Sequence, residues 1–161
     1  MQRAYISAGS NIGDRKANLQ FALTSLAQRN RVQKVSSCFE TEPVGFLHQP
    51  WFMNLAVEIE TPFNPFELLT VCKSIEAACG RVRTFPNAPR TLDLDILLFD
   101  DLVMSDNDLI IPHPRLAARR FVLAPLAQIA PEAVHPVFGK TVRELFEHCE
   151  DPSEVRLLQD T

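Results

Sequence analysis

Asp93 and Asp95 stand two residues apart in the run Leu92-Asp-Leu-Asp-Ile-Leu-Leu-Phe99. On a strand, that spacing points both carboxylates to one face, about 7 Å apart at Cα. Two like charges side by side repel unless a cation lies between them, and Asp is a poor strand former. A hard divalent ion suits this oxygen pair. Mg²⁺ typically takes one or two carboxylates and fills its shell with phosphate and water oxygens. Arg81, Arg83 and Arg90 lie in the loop just before this run. Guanidinium forks beside an Asp pair suit a polyphosphate, because they donate several hydrogen bonds and stay protonated. The window 81–120 holds six of the chain's 12 Arg and six Asp, but no Glu, unlike a solvated surface that mixes Lys with Glu. His113, close to Arg115, Arg119 and Arg120, is a further candidate phosphate contact.

Aromatic residues supply a second kind of chemistry. Trp51, Phe52 and Asn54 sit beside the Pro43-Val44-Gly45 loop. Such rings are usually core, yet a flat heterocycle can stack on one and be read by an amide. Phe121 offers a second stacking face. Several other chemistries have no support. GxxxxGK[ST] is absent, as are the kinase HRD and DFG motifs and the GxSxG elbow. Cys38, Cys72, Cys79 and Cys149 form no CxxC pair and read as reduced core thiols. The four His have no metal-ligand spacing. A net charge of −4 argues against a general binder of nucleic acid or membrane surfaces. No apolar run reaches the roughly 18 residues of a membrane span, and no signal peptide is evident, so the expected location is the cytoplasm.

The elements that must position these residues follow from periodicity. Residues 2–9 read as a strand. Asp14 caps a helix to about 29, with Leu19, Ala22, Leu23 and Leu26 on one face. Residues 31–40 and 51–60 read as strands, with a loop over 42–50. Asn64 caps a helix over about 65–79 that Gly80 stops. Residues 81–91 read as a cationic loop and 92–99 as a strand. Leu102-Val103-Met104 reads as a short returning hairpin strand, and 109–112 as another. A helix over 115–129 is expected to break or kink at Pro125, and the last helix spans 141–149. The 161 residues form one expected domain, 1–161. The class is α+β: a ferredoxin-like βαββαβ antiparallel sheet with helices on its faces plus a C-terminal extension. Helices on one face suffice to hold the βαββαβ part together.

Gly80-Arg-Val-Arg, Pro89-Arg-Thr-Leu-Asp-Leu-Asp-Ile and Ile111-Pro-His113 strongly resemble the 6-hydroxymethyl-7,8-dihydropterin pyrophosphokinases. The resemblance extends to Gly9-Ser-Asn11, Thr41-Glu-Pro43-Val-Gly45, Phe52-Met-Asn54, Ile75-Glu76 and Arg119-Arg-Phe121. It implies transfer of the β,γ-pyrophosphoryl group of ATP to the hydroxymethyl group of a reduced pterin, with AMP leaving, in folate biosynthesis. It also implies a ferredoxin-like fold and a monomer whose partners are ATP and the pterin.

By the resemblance, Asp93 and Asp95 hold two Mg²⁺ ions, and Arg81, Arg90 and Asp95 are catalytic. Glu76, Arg83, His113 and Arg119 contact ATP. Thr41, Pro43, Val44, Gly45, Phe52, Asn54 and Phe121 bind the pterin. The chain has Asn87-Ala-Pro-Arg90 where some members carry Trp-Gly-Pro-Arg, and Phe52 where some carry Tyr. Loops 42–50 and 81–91 are expected to close over the substrates and exclude water. On the residues alone, two other readings remain: a metal-dependent phosphodiesterase or nuclease, and a non-catalytic ligand-binding module.

Overall fold

The computed structural model describes residues 1–80 and 89–158. A six-stranded antiparallel sheet runs β5 (Asp93–Phe99), β1 (Gln2–Ser10), β4 (Phe52–Thr61), β3 (Phe39–Thr41), β8 (Val155–Leu157), and β2 (Arg31–Val35) also pairs with β4. The helices α1 (Arg15–Arg29) and α2 (Pro65–Ala78) connect these strands. This is the expected ferredoxin-like α+β arrangement. Local chemistry sets the helix ends as the sequence implied. The Asp14 side chain accepts from Ala17 N at 3.0 Å, and Asn64 and Glu67 form a reciprocal capping box with Pro65 in the first turn. Gly80 takes a φ of 84°, which suits glycine after a helix.

The sheet is buried on both faces. Ala4, Ile6 and Ala8 of β1, Leu55, Val57 and Ile59 of β4, and Leu94 and Ile96 of β5 pack against α1 and α2. On the opposite face, Tyr5, Ala56, Leu97 and Leu98 pack against α3 (Arg120–Ile129) and α4 (Val142–Glu147). The C-terminal extension is thus the second wall of a three-layer sandwich. A bulge allows it: Tyr5 pairs with Leu98 but Ile6 with Ile96, so Leu97 is the extra residue and both leucines reach the α3 face.

Three expectations are corrected. The strand expected over 31–40 is split, because the Ser36 hydroxyl takes Ala56 N at 2.9 Å and breaks the ladder between β2 and β3. The segment after Asp101 does not return along β5. Its β6 (Met104–Ser105) instead pairs with β7 (Ile110–Ile111) in a separate two-stranded ribbon. Finally, the helix expected over 115–129 breaks at Arg119, where a 3₁₀ turn (Leu116–Ala118) ends. From Arg120 it runs on through a buried Pro125. All four cysteines are free thiols, and burial beside Glu76 and Asp95 pushes Cys72 up to about 12.

His135 locks the turn before α4. Its Nδ1 accepts from Val137 N and Phe138 N, each at 3.2 Å, and its ring stacks on Phe138 at 4.2 Å. Burial lowers its pKa. A lowered folded pKa gives stability that is present above the unfolded value, near 6.5, and lost as pH falls through it. The melting temperature should therefore fall between about pH 7 and 5, and fall less in His135→Asn, which keeps an acceptor but does not titrate. Parallel curves for the two proteins would rule this out.

Candidate active site

β1 forms the floor of the site with small residues. Ser7 is registered against Ala56 of β4 and Asp95 of β5, and Gly9 against Asn54 and Asp93. Alternation puts Ser7, Gly9, Phe52, Asn54, Asp93 and Asp95 on the α3 face, at the sheet end that α3 does not cover. A cleft opens there. Thr41, Val44, Phe52 and Asn54 line one side, Arg90, Asp93 and Asp95 the other, and Arg119 and Phe121 close it from the start of α3.

The Asn54 amide donates to Thr41 Oγ1 at 2.5 Å, which orients its oxygen over Gly9. A Cβ at Gly9 would collide with that oxygen and stand 3.5 Å from Phe52 Cδ1. Gly9→Ala should therefore raise KM for the heterocyclic substrate at least about tenfold, since displacing one well-placed polar contact costs on that order. KM for a phosphate-bearing substrate should change little. Kinetics with each substrate varied in turn decide it, and an unchanged pair of constants would sink the prediction.

The acidic and basic groups are interleaved. Arg90 pairs with Asp93 at 3.1 Å. Burial, Asp93 and Glu76 together push the Asp95 carboxyl up to about 7, although Arg119 and Arg90 oppose them. Burial and Arg115 lower Arg119, against the pull of Asp95 and Asp93. Burial, helped by Arg119 and Arg115, brings His113 down to about 4. Its Nδ1 accepts from Arg115 N at 3.1 Å, so the neutral ring carries its proton on Nε2.

Other expected residues fall around this centre. Glu76 does not line the cleft. It is buried at the end of α2, and its carboxylate accepts Leu94 N at 2.7 Å, gripping β5 between the two Asp. Pro43, Gly45 and Arg115 border an adjoining groove with Arg119. Trp51 is not among the cleft-lining residues, and Arg156 stacks over its ring at 4.9 Å. Arg81, Arg83 and most of the 81–91 loop lie outside the described residues.

Periodicity missed the supporting roles of Ser7, Gly9 and Asn11. Asn11 is only 2 % exposed. Its Oδ1 accepts Arg90 N at 2.8 Å, and its amide donates to Gln49 Oε1 at 2.8 Å and Pro50 O at 2.9 Å. A polar residue in the turn after a buried strand was the available signal, but its partners are 38 and 79 residues away.

A sheet sandwich whose open end gathers carboxylates, guanidinium groups and aromatic rings suits a transferase acting on a phosphorylated and a planar substrate. The model of the 7,8-dihydro-6-hydroxymethylpterin-pyrophosphokinase family matches residues 5–131. A Bacillus subtilis (strain 168) protein named 2-amino-4-hydroxy-6-hydroxymethyldihydropteridine pyrophosphokinase is 53% identical over 128 residues, covering 78% of this chain and 77% of its own length. A Methylorubrum extorquens protein of the same name is 44% identical over 161 residues, covering 99% of this chain and 100% of its own. A Plasmodium falciparum HPPK-DHPS structure superposes with a TM-score of 0.74 at 17% identity. It covers 91% of this chain but 45% of that longer one, a likeness of fold. The chain belongs to the 7,8-dihydro-6-hydroxymethylpterin-pyrophosphokinase family. Its reaction is pyrophosphoryl transfer from ATP to the hydroxymethyl group of 6-hydroxymethyl-7,8-dihydropterin, giving the pterin diphosphate and AMP in folate synthesis. This sets aside the phosphodiesterase and binding-module readings. No helix among the described residues is long and apolar enough to cross a membrane.

Proposed function

We propose that this chain carries out the transfer as a Mg²⁺-dependent cytoplasmic monomer, with two ions held by Asp93 and Asp95. The observation that carries the reading is the single cleft shared by Asp93, Asp95, Arg90, Arg119, Phe52, Asn54 and Phe121. The donor set fits the ion. Two hard carboxylates lie side by side, their repulsion only partly offset by Arg90 and Arg119. Among the described residues no group of three His, Cys, Asp or Glu forms a protein-only cage. Phosphate and water oxygens would complete the shell, as Mg²⁺ prefers. Held by Asp93 and Asp95, a divalent ion would supply charge neutralisation on the phosphates and Lewis acidity.

The chain's own groups do the rest. Phe52 and Phe121 sandwich the pterin, and the Asn54 oxygen, with Thr41, Pro43, Val44 and Gly45, reads its edge. Arg90 and Arg81 meet the charge that grows on the transferring group and its bridging oxygen. Arg119 and Arg83 hold other phosphate oxygens, and His113 donates from Nε2. Phosphoryl-type transfer asks mainly for positioning and charge stabilisation, and these groups provide both. Glu76 contributes from behind, by fixing Leu94 and with it the spacing of the Asp pair. The test is a product assay with ATP and the pterin after chelation. AMP formation should fall to background and return with added Mg²⁺, whereas undiminished AMP in excess chelator would overturn the metal assignment.

A further inference from the structure

The N-cap of α3 is Arg119. Ser, Thr, Asp or Asn normally stands there, because a short side-chain oxygen accepts an otherwise orphaned backbone N–H. Arg has only donors, and no side chain of α3's own start makes a cap hydrogen bond. Arg119 instead lines the cleft, its guanidinium 5.4 Å from the centre of the Phe121 ring. Among the described residues the other α-helices, α1, α2 and α4, are capped from their own sequence, by Asp14, Asn64 and Thr141.

The missing acceptor comes from the C-terminal tail. Asp151 Oδ2 accepts Arg120 N at 3.0 Å, 31 residues distant in sequence. The Arg120 guanidinium reaches back, donating to Asp151 O and Cys149 O, each at 3.0 Å. Asp151 Oδ1 accepts Ser153 N at 2.9 Å and shapes the turn that follows. From there the tail grips the other wall of the cleft. Glu42 N donates to Glu154 O at 3.0 Å, Glu154 N to Glu42 Oε1 at 3.1 Å, and Val155 pairs with Thr41 across β8 and β3. Burial opposes the Asp151 charge, but the Ser153 and Arg120 N–H groups and the Arg120 guanidinium outweigh it and lower its pKa.

We infer that Asp151 is a positioning residue of the transfer site. It caps α3 from the tail so that Arg119 is free to face the cleft, and it fixes Phe121 relative to the Thr41–Gly45 loop. A negative group at a helix start also suits the helix dipole. The inference rests on the pterin-site reading above, so its test carries a reference for that reading.

Asp151→Ala should raise KM for the pterin about tenfold, the size of one lost cap translated into affinity. Thr141→Ala removes the equivalent cap from α4, and Thr141 does not line the cleft. It should lower the melting temperature comparably and leave both KM values within about twofold. Phe121→Ala should raise pterin KM on its own. An increase in Asp151→Ala that Thr141→Ala does not share supports the inference. Unchanged pterin KM in Asp151→Ala, with an increase in Phe121→Ala, overturns it while the pterin site stands. Unchanged KM in Phe121→Ala overturns both. Should Asp151→Ala not fold, Asp151→Asn, which keeps one acceptor oxygen, is read by the same criterion at about a threefold increase.

Discussion

Asp95→Asn is expected to lower turnover by about 10³-fold or more while making the metal-free protein more stable. The first effect follows from charge. Asn keeps the shape and one oxygen but loses the negative charge that a divalent ion needs, and losing a main electrostatic element of a transfer site costs on the order of 10²–10³ in rate for even one neutral donor. The second effect has the opposite sign. Burial, Asp93 and Glu76 raise the Asp95 carboxyl to about 7. A folded pKa above the unfolded one means that the contribution of this carboxyl group is fully present below about pH 4, where it is the neutral acid, and is lost as pH rises toward 7. A neutral amide avoids that loss, so the variant's melting temperature at pH 7–8, in chelator, should exceed the parent's by about 3 °C or more. Ser7, the registered neighbour of Asp95, is small enough to accept the amide. Thermal melts and steady-state AMP formation read the two effects separately. Substantial turnover in Asp95→Asn would remove the residue from the site, and a lower melting temperature would show that the two carboxylates are not in conflict.

Arg90→Ala should cost about 10²–10³ in kcat, with pterin KM little changed. The Arg90 backbone is held independently of its side chain, through N to Asn11 Oδ1 at 2.8 Å and through O from Asn11 N at 3.0 Å. Truncation therefore removes the guanidinium without releasing the chain. In the free protein that guanidinium pairs with Asp93 at 3.1 Å and lies 5.8 Å from the centre of the Phe52 ring. It thus stands between Asp93 and the aromatic side of the cleft, where the proposed transfer takes place. Arg90→Lys should restore little of the rate. An ammonium is a point charge without the planar fork, and cannot keep the Asp93 pair while presenting a second N–H to phosphate. Single-turnover measurements would isolate the chemical step. Equal rates for Arg90→Lys and the parent would reduce the role of Arg90 to simple charge.

Some of this molecule is written locally and some is not. The spacing of Asp93 and Asp95, the Asn64 and Asp14 caps and the α1 face of Leu19, Ala22 and Leu26 depend on residues within one or two turns of each other. Strand alternation and capping chemistry act over that range, so these features were legible and the structure reproduces them. The βαββαβ order followed from them. The motif residues also marked which side chains meet around the cleft, although spacing alone left their company undecided until β1 brought Asn54 and Asp93 to either side of Gly9.

Tertiary structure decided the rest. Glu76 reads as one more charged residue on a helix, and only the docking of α2 against β5 turns it toward Leu94 N. Pro125 argues for a helix break. The break falls at Arg119 instead, where the tail supplies the cap and the 3₁₀ turn ends. β8 is three residues long, too short to carry a period, and becomes a strand because β3 offers an open edge. The Glu42–Glu154 pair joins residues 112 apart. Propensity and periodicity report what a segment favours by itself. Which distant group satisfies a given N–H or buried carboxylate is settled only when the chain has collapsed and every polar atom taken from water must find a partner.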